Sequence, residues 1–167
     1  LQGPDFMAAT YEIPPFEMVR QDLIEVRKFV GLRKEARKTK DKEAEKMAQR
    51  GVRRLRRRAR NNRALWLGQA VVRAAMTEDG MRERLTHFWA DHFTARGKQG
   101  VMLHSTGAYV AETIRPNVTG RFCDMLKAVV VSPMMLLYLD QVQSIGPNSV
   151  FGKNRKRRGL NENFARE

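Results

Sequence analysis

Residues 77 to 93 read Thr77-Glu-Asp-Gly-Met-Arg-Glu-Arg-Leu-Thr-His-Phe-Trp-Ala-Asp-His-Phe93, and they set the secondary-structure class of the chain. Thr77 is a side-chain cap with Glu78 and Asp79 in the turn behind it, where acids meet the positive end of a helix dipole. The spacing predicts a helix from Glu78 or Asp79 to Phe93. Its last seven residues, His87 to Phe93, carry two His, one Asp and three aromatics.

Upstream, Phe16, Val19, Leu23, Val26 and Val30, widened by Ile24 and Phe29, repeat at helical spacing. Beyond Leu32 the composition turns to Lys, Arg, Glu and Ala, which favours helix but offers almost no core face. This helix is expected to run on into solvent and to break or bend at Gly51. A second helix then carries Val52, Leu55, Ala59, Trp66, Ala70 and Ala74 to about Met76. Leu1 to Pro15 holds Gly3, Pro4, Pro14 and Pro15 and reads as an extended leading segment.

Downstream, a short helix from Gly107 to Ile114 stops before Pro116, and Asn117 or Thr119 is expected to cap the next one. Phe122, Met125, Leu126, Val129 and Val130 form that helix's face. Ser132-Pro133 is a helix start, cap then Pro at the first helical position, for an apolar helix to about Gln141. Gln143 to Arg158 is a long polar loop, and Asn161 caps a final helix. No strand pattern and no internal repeat emerge. The expected fold is all-α, an irregular domain of six or seven helices with a long basic helical pair near the N-terminus. Its core is expected around Phe88, Phe122 and Leu136. The organisation divides as residues 1–15, the basic helical pair 16–76, and a helical core 77–167.

The 167 residues carry net charge +14. Between Arg33 and Arg63 there are 15 Lys or Arg against four acids, so the excess lies in one segment. A second basic cluster runs from Lys153 to Arg158. No apolar run is long enough to cross a bilayer. The single Cys123 sits at an apolar helical position and is expected to be a small buried core residue that forms no internal disulfide.

Chemistry can be sought in two places. On the helix through Phe93, His87 and Asp91 are four apart and share a face, while His92 projects about 140° away. One His and one carboxylate can pair as a base and its orienting acid, or share a metal, whereas two His at i, i+4 are absent. The plainer alternative is a structural His-Asp pair with Phe88, Trp89 and His92 packed inward. The second place is the C-terminal run, where Asn161, Glu162, Asn163, Arg166 and Glu167 follow the loop and present side-chain oxygens to a cation or polar ligand. Glu162 and Arg166 also have the spacing of a helical ion pair.

Five separated motifs occur in order: Arg82 to Phe93, Arg115-Pro116 with Gly120-Arg121-Phe122, Ser132 to Met135 leading into Tyr138-Leu139-Asp140, Ser144 to Ser149, and Gly159 to Glu167. Together they resemble the family called domain of unknown function 1800, over about residues 82 to 167. The resemblance implies a larger, mostly helical bacterial protein, often exported or periplasmic, whose sequence extends beyond both ends of this chain. It brings no assigned catalytic residues.

Two functional expectations follow. One is a metal-assisted or acid-base hydrolase using His87, Asp91, Asp140, Glu162 and Glu167, with Asn161, Asn163 and Arg166 binding ligand; metal and cofactor are unknown. The other is a basic helical module whose patch of Arg53, Arg54, Arg56, Arg57, Arg58 and Arg60 meets an acidic protein partner, an anionic surface or, less favoured, nucleic acid. The basic run lacks a zinc-finger spacing, a heptad zipper or interleaved stacking aromatics.

Overall fold

The computed structural model describes residues 3–98, 100–154 and 159–166, and over these the protein is all-α, with no strand. The leading segment is not wholly extended. Asp5 accepts a hydrogen bond from the Ala8 amide at 3.0 Å and caps a short helix, α1 (Phe6–Thr10). A cap satisfying an otherwise orphaned amide is enough to turn one helical loop where periodicity is too short to show.

Next come α2 (Phe16–Lys38) and α3 (Lys42–Met76), which pack along one another as an antiparallel hairpin. The reversal falls at Thr39 to Asp41, ten residues before the break expected at Gly51. Lys40 takes a left-handed φ of 57°, and Asp41 caps α3 by accepting from the Ala44 amide at 3.0 Å. Gly51 is instead interior to α3 and marks close approach. A Cβ there would sit 2.6 Å from the Phe29 ring of α2, so glycine's missing side chain makes room for that ring. Arg33 and Arg37 both reach Glu45 across the hairpin, and Arg58 pairs with the buried Asp22 farther along.

α4 (Gly80–His92) is capped two residues later than Thr77, by Asp79, whose carboxylate accepts from the Arg82 amide at 3.1 Å. Thr77 supports it from behind, its hydroxyl accepting from the Asp79 amide at 3.0 Å. A 3-10 turn at Gly100–His104 leads into α5 (Thr106–Tyr109), which widens into a π turn over Val110–Ile114 and tightens again over Arg115–Asn117.

α6 (Phe122–Val131) has no side-chain cap, because its cap position falls on Arg121, which has no acceptor, while Asn117, expected as a cap, lies four residues upstream and donates to the Thr113 carbonyl at 2.9 Å. α7 (Pro133–Tyr138) begins at Ser132-Pro133 as the sequence predicts, and ends before Asp140, whose φ of 56° is left-handed. The polar loop contains one helical turn, α8 (Val150–Asn154), and α9 (Asn163–Arg166) closes the described chain.

The core is a single cluster drawing Val19 from α2, Ala59 and Trp66 from α3, Tyr109 and Ile114 from the α5 segment, and Met125, Val129 and Met134 from α6 and α7. Each fully buried large side chain of this kind contributes roughly 1.5–3 kcal/mol by leaving water. Of the three residues expected at its centre, Phe88 and Phe122 are more than half exposed and Leu136 is partly buried. Helical spacing identified the faces but not which of them meets a partner. Cys123 is likewise exposed, two residues before the buried Met125 and so on the opposite side of α6.

Candidate functional site

Three arginines hold the leading segment against the helices. Arg115 lies 3% exposed in the turn after the π segment. It donates to Asp5 through Nε at 2.6 Å and Nη2 at 2.9 Å, and to Glu83 of α4 through Nη1 at 2.9 Å and Nη2 at 2.6 Å. Arg82 donates to the Gly3 carbonyl at 2.9 Å, and Arg73 of α3 donates to the carbonyls of Ala8 and Tyr11. Burial alone would lower the Arg115 pKa, but the hydrogen bonds and charges of Glu83 and Asp5 raise it overall. For Asp5 burial pushes upward, and the hydrogen bonds from Arg115 and the Ala8 amide hold the carboxyl below its ordinary value.

Beside this cluster, α3, α4, the 3-10 turn and the π segment enclose a cavity of about 560 Å³. Its wall includes Trp66, Arg73, Glu83, His87, His104 and Arg115, with Leu67, Leu103, Val110 and Ala111 as apolar lining. The wide π turn is what brings Val110 and Ala111 to the wall, a departure from regular helix often found at functional sites. Gly107 lets α5 approach α3 closely, since a Cβ there would lie 2.6 Å from the Trp66 ring. Burial lowers the His104 pKa, and the charges of Arg63 and Arg60 lower it further, so its imidazole is neutral at pH 7.

Of the described members of the expected catalytic set, only His87 lines this cavity. Asp91 is exposed on the same helix, Asp140 pairs with Lys98, and Glu162 forms the i, i+4 pair with Arg166 at 2.8 Å. Glu167 lies outside the described residues, as do residues 155–158 of the second basic cluster. Asn161 acts as an anchor. Its Nδ2 donates to the Leu139 carbonyl at 2.7 Å, its amide donates to Ser144 Oγ at 3.1 Å, and its Oδ1 accepts from the Asn163 amide at 3.0 Å. Among the described residues no three His, Cys, Asp or Glu side chains come together as a metal site. The inward-packed arrangement of Phe88, Trp89 and His92 is corrected too: Phe88 and His92 are exposed and stack on each other, meeting the half-buried, mutually stacked Trp89 and Phe93 edge-on in a surface aromatic row.

The family model for "Protein of unknown function (DUF1800)" matches residues 6–167. The chain belongs to the DUF1800 family. The match extends well upstream of the five motifs, so the basic α2–α3 hairpin lies inside the family domain and is no appendage to it. No curated protein and no solved structure matches the chain.

The residues that sequence reading passed over are Trp66, Arg73, Glu83 and His104, together with the role of Arg115. Arg73 did carry a signal. It stands alone among Ala70, Val71, Val72, Ala74, Ala75 and Met76, and a charge inside an apolar stripe is buried only when something pairs with it.

Proposed function

We propose that this DUF1800 domain binds a polyanionic polymer through the arginine ridge of α3. The observation that carries the reading is a set of seven exposed arginines, Arg50, Arg53, Arg54, Arg56, Arg57, Arg60 and Arg63, none in an ion pair among the described residues. Arg58 stands apart because Asp22 neutralises it. At about 100° and 1.5 Å per residue, the seven fan over roughly half the helix circumference along about 20 Å. The opposite face is closed by buried Leu55 and Ala59.

This arc carries no exposed large apolar side chain between Arg50 and Arg63, which disfavours insertion into a bilayer interface. Its width favours a concave anion, such as a duplex groove flanked by phosphates, over a flat surface. The use of Arg throughout, with no Lys from Arg50 to Arg63, suits bidentate contact with phosphate. The hydrolase reading has less behind it: His87 alone of its described residues meets the cavity, and the carboxylate beside it, Glu83, is engaged by Arg115.

The test is fluorescence anisotropy with mixed-sequence duplex DNA as the phosphate polymer, and anionic phospholipid vesicles as a separate arm. With about four phosphates neutralised, affinity for the duplex should fall roughly a hundredfold between about 50 and about 200 mM salt. The triple variant Arg53→Glu, Arg57→Glu, Arg60→Glu should abolish binding with its helical signal intact. A duplex affinity flat in salt, or vesicle binding without duplex binding, would overturn the reading.

A further inference from the structure

The C-terminal half of α3 presents an apolar face to solvent. From Ala64 to Met76 the only polar side chains are Gln69 and Arg73, and both turn toward the core, Arg73 buried and Gln69 half-buried. The large apolar residues of the outer side do the opposite: Leu65, Leu67, Val71, Val72 and Met76 are each 37–68% exposed. A helix that is apolar on its outward side as well as its inward side is ordinarily covered on both. With its intervening small residues the face offers roughly 600 Å² per copy, at the upper end of the largest apolar patch a soluble monomer carries. Two such faces meeting would bury about 1,200 Å², the size at which specific, stable interfaces begin. Gly68 sits in the middle of the face. A Cβ there would meet nothing within 4 Å, so no contact inside the chain calls for a glycine, which weakens a helix interior. Its bare backbone suits a close approach from outside, where another helix crosses α3.

We propose that a second copy of this chain docks on the face, the two α3 helices crossing antiparallel at Gly68. Charge decides the direction. The arginine ridge occupies the preceding half of the same helix and ends at Arg63, one residue before the apolar face opens. Parallel helices would set two such ridges side by side, whereas antiparallel ones send them to opposite ends of the pair and spare the like-charge repulsion. The crossing is isologous, so each copy covers the other with the same apolar side chains across a two-fold axis near Gly68. A lipid surface is a poorer match. An interfacial helix carries its basic residues alongside its apolar face, and here the two follow one another along the axis.

Sedimentation velocity of the chain, without nucleic acid or anionic lipid, tests this. The parent should pass from monomer to dimer between about 1 and about 200 µM, the range suited to an interface at the lower size limit. Gly68→Leu, whose side chain has open space in the single chain, should weaken the dimer at least about tenfold while helical circular dichroism holds. Val71→Glu, at the most exposed of the five apolar side chains, should do the same, so a folding defect in one variant leaves the other to decide. Spin labels on Arg54→Cys in a Cys123→Ser background read the direction. Each label lies 14 positions from Gly68, so antiparallel copies hold the pair about 40 Å apart and parallel copies less than about 25 Å. A chain still monomeric at about 200 µM, a dimer unchanged by a folded variant of either kind, or labels under about 25 Å apart would each overturn the proposal. So would a monomer that partitions instead onto uncharged phosphatidylcholine vesicles. The ridge takes no part in these measurements, so their failure leaves the polyanion reading standing.

Discussion

Arg115 and Glu83 meet as a buried, two-bonded pair, at 2.9 and 2.6 Å, with both side chains under a tenth exposed. They are 32 residues apart and join α4 to the turn behind the π segment. Asp5 completes the cluster from the opposite direction, so one guanidinium ties three separate parts of the chain. A planar donor fork with a permanent charge can satisfy two carboxylates at once, which an ammonium cannot do in this geometry.

Arg115→Met should therefore destabilise strongly, by about 3–5 kcal/mol, because Glu83 is left as a buried charge without its partner. The double variant Arg115→Met, Glu83→Leu should recover much of that loss, since Asp5 is partly hydrated and the buried charge is gone. Urea midpoints of the two variants and the parent decide it.

Gly51→Ala should have a sign that depends on residue 29. In the parent the new methyl meets the Phe29 ring 2.6 Å away, and displacing that ring from the hairpin should leave the variant about 1 kcal/mol less stable. In a Phe29→Ala background the same substitution should stabilise by about 0.5–1 kcal/mol through helix propensity alone. A double-mutant cycle from thermal unfolding reads the reversal.

Acid should weaken the fold in two stages. The His104 pKa is depressed in the folded state, so the unfolded chain binds its proton first; this contribution is present above about pH 6.5 and declines as pH falls below that. The folded Asp5 pKa also lies below its ordinary 3.8. Its contribution is present above that value and is lost as pH falls through the lower, folded one. Asp5→Asn should reduce the second stage, which Glu17, Glu45 and Asp79 share through their own lowered pKa values, and leave the first, as measured by stability against pH from pH 7 to about 2.

Cys123 should react with a thiol reagent in the native protein, because α6 presents it to solvent with its sulfur 3.7 Å from the Asp124 carboxylate. One equivalent should titrate without denaturant. A thiol that reacts only after urea is added contradicts the placement of α6.

Much of the fold could be read from short-range chemistry. The helical stripe from Val19 to Val30, the Ser132-Pro133 start and the Glu162–Arg166 pair all depend on residues within a turn or two of each other, and each is found where spacing puts it. The hairpin turn was misplaced because Gly51 reads as a breaker from propensity alone, while its role, admitting Phe29, depends on a ring 22 residues away. Spacing puts Phe88 and Phe122 in the core because aromatic residues on a periodic face are usually buried; here Phe122 meets Trp89 and Phe93 on one side only and, like Phe88, stays more than half exposed.

The candidate site divides along the same line. The basic ridge was visible because eight arginines from Arg50 to Arg63 need no neighbour to be charged, and only the loss of Arg58 to Asp22 required the fold. The cavity was not visible at all. His87, Trp66, Arg73, Glu83 and Arg115 come from α3, α4 and the turn after the π segment, and nothing in their spacing brings them together. Composition and periodicity suffice for an all-α, strongly basic chain, because capping, helix propensity and charge act within a few residues. The pairing of Arg115 with Glu83 and Asp5 arises from burial and hydrogen bonding between segments far apart in sequence, where long-range packing has the final say.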